Sequence, residues 1–450
     1  MVKRRILYMP IETKARELLG KSFLAARAAA RGWIVVMGAQ KDTREFMRGK
    51  PAGFYVEMSI PDRKIPRLEQ IRGEGHRIAN LCEESAFYTN PEDYCARKLG
   101  PGALSLVDVL LTAGERNARD VREHRPGAEG KIAVTGNPRF DVLLPELRGV
   151  YAPGAEAIER ELGPFLLVNS NFVRVNAYGR DQDTVERWLE KGRINDGGEV
   201  EFLRKHAEFK RRQMAGLKTL LEELATMPGA GKIVFRPHPA EDRDMWRQWA
   251  EPLGIDVHHE GAANAWMMAA DAVLHPGCTT GIEGLLLDRA VFSYVPEPDS
   301  EFVNEPDRIS RWVRSAEDVV EGVAGVRGLN RDEVRNSFAS QRTRLEDYIA
   351  NMERPYAADR ILDAIESFDL PEVTDAAAGV ATSGLAATMR NAIARLSKRG
   401  SASQSRRGRQ KLGDIEEQDI AGPLEIWLKA GVLAGTPKLT KFSGQLWAIH

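Results

Sequence analysis

The chain has 450 residues, 43% of them hydrophobic and 29% charged, with a formal net charge of -1. That length accommodates two or three domains, each able to bury a sizeable core. The near-neutral balance excludes a whole-surface polyanion binder, so no nucleic-acid partner is expected.

The opening apolar run, Ile6 to Met9, is cut short by Pro10, Glu12 and Lys14 and does not make a signal segment. No stretch approaches the ~18 apolar residues of a membrane span. Arg5 to Met9 reads as a strand, Glu17 to Arg31 as an Ala- and Leu-rich helix ended by Gly32, and Trp33 to Met37 as a second buried strand. Strand, helix, glycine and strand in succession predict a parallel sheet with crossover helices. His76 to Leu81, Val107 to Thr112 and Lys131 to Val134 continue the series as strands, with Ala103 to Leu106 helical. Thr135-Gly-Asn-Pro138 is turn chemistry at a strand's carboxyl end. The three cysteines, Cys82, Cys95 and Cys278, form no CxxC pair; a reducing cytoplasm suits them better than a disulfide framework or structural zinc.

Arg148 to Gly163 reads as a connection, after which the alternation restarts. Phe165 to Asn169 is a strand, Gly198 to Met227 a long charged helix, and Lys232 to Phe235 a strand running into Arg236-Pro-His-Pro239. Ile255 to His258 is a strand, Ala265 to Ala270 a helix, and Ala272 to Leu274 a strand running into His275-Pro-Gly277. A helix opens at Ile282 and a strand follows from Ala290 to Tyr294. The expected fold is α/β of the GT-B class: doubly wound Rossmann-like units over 1–150 and 163–345, closed by helices over 346–370. In that class the ligand lies between facing strand ends. The remainder, 371–450, reads as a disordered, low-complexity tail. Its segment Arg395 to Lys411 holds seven basic residues and no acidic one. A solvated tail and attraction to an anionic inner-membrane surface are the two readings of it.

The strand ends carry the candidate chemistry. His238 can donate a hydrogen bond to a phosphate oxygen and Arg236 can add charge, stabilising a departing nucleotide; a structural Pro-His-Pro turn is the alternative. Behind His275, Gly277 permits close backbone approach, and Thr279 and Thr280 open a helix whose free N–H groups suit an anion. Ordinary N-capping by Thr is the alternative there. Glu283, one turn on, stands where GT-B enzymes hold ribose hydroxyls, or it favours the helix start. Glu83 and Glu84 face the cleft from the first unit; one can take a proton from an acceptor hydroxyl while the other orients it or raises its pKa. Lys14, Arg16, Asn137, Arg139, Asn169 and Asn171 are further cleft candidates, and Asp141 reads as a structural lock. Asp242-Arg-Asp244 matches a metal-binding DxD formally, but acids at a helix start have their own electrostatic reason. Neither a metal nor a cofactor is expected.

Met9-Pro-Ile-Glu-Thr-Lys-Ala-Arg-Glu17, Glu83-Glu84, Val134-Thr-Gly-Asn-Pro-Arg-Phe-Asp141, Val168-Asn-Ser-Asn-Phe172, Arg236-Pro-His-Pro239 and Gly277-Cys-Thr-Thr-Gly-Ile-Glu283 occur in that order. Together they resemble the bacterial surface carbohydrate biosynthesis protein family, over about residues 5 to 365. That family is distantly similar to sialyl-, polysialyl- and Kdo-type transferases and to teichoic acid glycerophosphate polymerases. The resemblance implies Glu83 or Glu84 as base, His238 as phosphate ligand, and Thr279 and Thr280 as phosphate-binding. It also implies a nucleotide-sugar donor, a CMP-linked acidic sugar first, and a glycan or lipid-linked glycan acceptor. Ser85 departs from the Gly expected after the acidic pair. The rivals are UDP-sugar 2-epimerisation, CDP-alditol phosphotransfer, and a non-catalytic subunit of a polysaccharide assembly complex.

Overall fold

The computed structural model describes residues 4–88, 90–177, 186, 189, 197–379, 413–443 and 445–450. The chain divides into two compact units, Met1–Val150 with Glu346–His450, and Tyr151–Leu345. In chain order the strands are β1 (Arg5–Ile11), β2 (Trp33–Ala39), β3 (Phe54–Glu57), β4 (Arg77–Leu81), β5 (Val109–Thr112), β6 (Ile132–Val134), β7 (Phe165–Asn169), β8 (Lys232–Arg236), β9 (Asp256–Val257), β10 (Ala272–His275), β11 (Ala290–Tyr294), β12 (Arg311–Val313), β13 (Leu439–Ser443) and β14 (Leu446–Ile449).

The first unit's sheet has the order β13-β14-β2-β1-β3-β4-β5-β6. β1 to β6 are parallel. Every residue of β2 is buried, as a strand covered on both faces requires. From β1 the chain passes to β2 on one side and then to β3 on the other, so the order reverses between β1 and β3. The second unit's sheet, β12-β11-β10-β7-β8-β9, is parallel throughout and reverses between β7 and β10. Such reversals open a crevice at the strands' carboxyl ends, where doubly wound sheets bind ligands. Two doubly wound units in one chain match the fold class expected of the sequence. β3 and β12 are additions to it: β3 is four residues ending in Glu57, and β12 is three residues with one apolar position buried.

Residues 346–370 belong to the first unit. The helix Ala357–Glu366 starts on the carboxylate of Asp141, which accepts from the backbone N–H groups of Ala357 (2.8 Å) and Ala358 (2.9 Å).

The expected tail needs correction. Arg395 to Lys411 falls outside the described residues, but 413–450 is folded into the first unit. The helix Glu417–Lys429 packs on the helix Lys14–Ala30. Its buried Trp427 lies edge-on to Phe23 at 5.3 Å and donates to the Leu147 carbonyl at 2.9 Å. β14 pairs antiparallel with β2 and is buried along its length. The reason is apolar payload: Ile420, Leu424, Trp427 and Leu446–Ile449 carry enough surface to repay their ordering. No helix among the described residues is long and apolar enough to cross a membrane.

Candidate functional site

In the first unit, Glu83 lies just past β4 and is buried. Asn137 of the Thr-Gly-Asn-Pro turn donates to its carboxylate at 3.2 Å, and Arg139 donates to its carbonyl at 3.3 Å. The turn is rigid. Gly136 has φ +83°, and a Cβ there would come within 2.1 Å of Asn351 Oδ1. Asn351 accepts from the Asn137 N–H (3.2 Å) and donates to Asp141 (2.6 Å). Burial raises the Glu83 pKa; Lys21, Arg139 and Arg16 oppose this and Glu17 adds to it. Asp141, fully buried, is pushed to about 7 by the same cause despite its backbone donors. Its partners, Asn351, Ala357 and Ala358, all belong to the first unit.

Glu84 differs from its neighbour. It is exposed, contacts Lys98, and lies 3.5 Å from Arg16. Burial of its carboxyl raises the pKa, but the hydrogen bond and charge of Lys98, with Arg16, outweigh this and the net shift is downward. Of the two adjacent acids, Glu83 is the one whose pKa is raised. Lys14 is placed elsewhere than expected: its ammonium holds the Asp414 carbonyl and the Asp419 carboxylate, both at 2.6 Å. That contact became available because residues 413–450 fold back.

Sequence reasoning missed Glu17 and Lys21 as members of this site. Both are buried and paired at 2.8 Å. Lys21 also donates to the Pro10 carbonyl (2.7 Å), and Glu17 accepts from the Thr13 N–H (2.8 Å). Their i,i+4 spacing after β1 was the available signal.

In the second unit, the loop after β10 is organised by His275. Its Nδ1 accepts from the Gly277 and Cys278 N–H groups, each at 3.1 Å, so the proton sits on Nε2 and goes to Ser310 Oγ at 3.0 Å. Complete burial pulls its pKa to about 3, which keeps it neutral. Gly277 takes φ +73° and a Cβ there would meet Asn304 Nδ2 at 2.6 Å; its carbonyl accepts from Asn304 (2.9 Å) and Asn171 (3.0 Å). The close approach that this glycine permits is thus made by a side chain of the same unit. Asn169 donates to Thr280 Oγ1 at 3.2 Å. Thr279 is exposed at the start of the helix Thr280–Leu286, and Glu283 lies partly buried within it. Below the loop, Lys210 is buried and donates to the Pro276 carbonyl at 3.0 Å and to Gln213 at 2.7 Å. Sequence reading missed Lys210, which lies mid-helix with no local motif.

His238 is exposed after β8. Its backbone N–H donates to Ser170 Oγ at 3.2 Å, and its Nδ1 accepts from the Ala240 N–H at 3.1 Å. That second bond places the ring proton on Nε2, an outward donor. Partial desolvation and the neighbouring His259 lower its pKa. Arg236 is not aimed with it. Its terminal nitrogens donate to the Glu260 (2.8 Å) and Gly261 (2.7 Å) carbonyls, and its guanidinium stacks over Trp266 at 5.5 Å. Its observed work is to hold that turn, which the sequence motif could not reveal. Asp242 caps the helix Arg243–Ala250, accepting from the Asp244 (3.0 Å) and Met245 (3.2 Å) N–H groups.

No family model matches the sequence, and no curated protein is similar to it. Among solved structures, the wall teichoic acid polymerase TagF aligns with TM-score 0.49 and 12% identity, over 81% of this chain and 89% of that one. The UDP-GlcNAc 2-epimerase of Methanocaldococcus jannaschii, in complex with UDP-GlcNAc and UDP, aligns with TM-score 0.47 and 11% identity, over 81% and 100%. A UDP complex of S. aureus MnaA aligns with TM-score 0.42 and 11% identity, over 81% and 96%. At these values the likeness bears on neither substrate nor mechanism.

Proposed function

We propose that the chain is a metal-independent glycosyltransferase that moves a sugar from a nucleotide-activated donor, a CMP-linked acidic sugar first, to a hydroxyl of a surface-glycan acceptor. The observation that carries the reading is Glu83: a buried carboxyl at a strand's carboxyl end, aimed by Asn137 of a braced turn and raised in pKa. A carboxylate so held can take the acceptor hydroxyl's proton as its oxygen bonds to the sugar's anomeric carbon. The bond from that carbon to the donor phosphate breaks, and its electron pair leaves with the nucleotide. The His238 Nε2–H is the donor that meets this growing charge, with Thr279 and Thr280 beside the braced loop after β10. Glu84, ionised and paired with Lys98 and Arg16, serves acceptor placement.

The test is release of free nucleotide from CMP-, CDP- and UDP-linked donors. Glu83→Gln should lower turnover by 100-fold or more, about the size expected of a lost general base, while nucleotides still raise the melting temperature of the variant. A folded Glu83→Gln protein with wild-type turnover overturns the assignment. Interconversion of a UDP-sugar without nucleotide release would make the chain an epimerase.

A further inference from the structure

We infer that Glu17 is a positioning residue of the transfer: by holding the Lys21 ammonium it keeps that cation from Glu83, and so leaves Glu83 able to take a proton. This rests on the transferase reading, with Glu83 as base, and names the device that tunes it.

Placement is the first ground. Glu17, Gly20 and Lys21 stand three and four residues apart on the helix Lys14–Ala30, and so share one of its faces. That face is seated on the turn that aims Glu83. A Cβ at Gly20 would come within 2.7 Å of both the Pro138 carbonyl carbon and the Arg139 nitrogen, so helix and turn meet backbone to backbone. Asn137 and Arg139 of this turn are the residues that hold Glu83. Glu17, Lys21 and Glu83 are all buried.

Unequal hydrogen bonding is the second ground. Two buried carboxylates share the neighbourhood of one buried ammonium, and their donors decide between them. Glu17 accepts three hydrogen bonds, from Lys21 Nζ (2.8 Å), the Thr13 N–H (2.8 Å) and the Glu12 N–H (3.1 Å). The Glu83 carboxylate accepts one among the described residues, from the Asn137 amide at 3.2 Å. A carboxylate with several donors keeps its charge, and one with a single neutral donor is governed by its burial. Burial would raise the Glu17 pKa, but Lys21 and the two backbone donors bring it below its ordinary value; burial raises that of Glu83. Three cations face Glu83: Lys21 and Arg16 from the helix, and Arg139 from the turn. Arg16 is partly exposed and lies 3.5 Å from Glu84, and Arg139 donates to the Glu83 carbonyl. Lys21, screened by no solvent, acts on Glu83 most strongly of the three, and the negative charge of Glu17 works against it.

The experiment titrates Glu83 by NMR in the full chain with isotope-labelled glutamate carboxyls, its signal identified by its loss in Glu83→Gln. Glu17→Gln keeps the side chain's shape and gives up its charge, which turns Lys21 to Glu83 as counter-ion. The Glu83 titration should then move down by about one pH unit. Glu17→Leu/Lys21→Met removes the ammonium together with its partner, and Glu83 should titrate above the wild type. Release of nucleotide from CMP-, CDP- and UDP-linked donors should slow about threefold in Glu17→Gln, because a general-base step follows the strength of its base. A Glu83 titration unmoved by Glu17→Gln, in a protein that melts normally, overturns the inference and leaves the transferase reading standing. If Glu17→Gln does not fold, the double variant decides: a Glu83 titration at or below that of the wild type overturns the inference equally. Wild-type turnover in a folded Glu83→Gln protein overturns the transferase reading instead, whatever the titrations show.

Discussion

The strand ends of the two units hold their buried lysines differently. The first pairs ions: Glu17 with Lys21, their side chains 0% and 2% exposed, and Glu57 with Lys64 and Arg67. The second pairs buried Asp288 with Arg335 (2.7 Å) and Arg342 (3.2 Å), but around the loop after β10 it holds its buried ions without ion pairs. Glu241 accepts from Ser170 Oγ (2.7 Å), the Phe172 N–H (2.6 Å) and Trp246 Nε1 (2.7 Å), and Lys210 donates to a carbonyl and an amide. Neither has an ion-pair partner among the described residues. Neutral His275 and the Asn side chains do the rest of the bracing. The edge around Glu17 and Glu57 is thus shaped by charges already in place, and the loop after β10 by dipoles of fixed direction, which need no rearrangement when a charge approaches.

The comparison can be broken most severely at the buried pair. Lys21→Met strands Glu17 without its cation and should cost about 3–5 kcal/mol of stability by chemical denaturation. The double variant Glu17→Leu/Lys21→Met should recover most of that, since two apolar side chains leave no charge to solvate. A single variant as stable as the wild type would mean the pair is not what orders this edge.

A smaller effect, of the other kind, is expected at Lys210. Burial, chiefly, lowers its pKa from 10.5 to about 8. Between those values the unfolded chain binds the extra proton, so stability rises with pH there and is lost as pH falls through about 8. The stability of the wild type relative to Lys210→Met should therefore climb by on the order of 2–3 kcal/mol from pH 8 to pH 10.5. A flat difference would show that Lys210 titrates as a free lysine does.

The smallest effect separates burial from mere pairing. Arg119 and Asp347 face each other at 2.6 Å in the first unit with side chains 57% and 44% exposed. Arg119→Ala should change stability by less than about 1 kcal/mol. A loss as large as that of Lys21→Met would mean that charge count, and not burial, governs this unit.

The strands and their terminal motifs were legible because their signals are local. Val134-Thr-Gly-Asn-Pro138 and His275-Pro-Gly277 couple an apolar run to turn residues within a few positions, and both stand at strand ends. What escaped depends on contacts between distant parts of the chain. Asn351 is an unremarked amide until it meets Gly136 and Asp141 across more than 200 residues. Lys14 has the look of an exposed cleft cation, and only the returning Asp419 commits it. Arg236 has the right type and spacing for a phosphate ligand; the direction of its side chain, toward the 260–261 carbonyls, is a tertiary fact. The folded end of the chain was hidden by its neighbour, because the basic, Ser-rich stretch dominates the composition of 371–450 while Leu446–Ile449 decides where that end goes.

The discontinuity of the first unit has a consequence for biosynthesis. Residues 151–345 are contiguous, so the second unit has all its strands once the ribosome has passed Leu345 and its exit tunnel. The first unit begins earlier and finishes later: the β1 and β2 edge stays open until β14 is made, more than 400 residues after β1. During that interval β2 presents unpaired backbone and a fully apolar strand to the cell. The half of the chain made first is therefore the half that waits longest for protection, and nascent-chain chaperones would find their target at Trp33–Ala39.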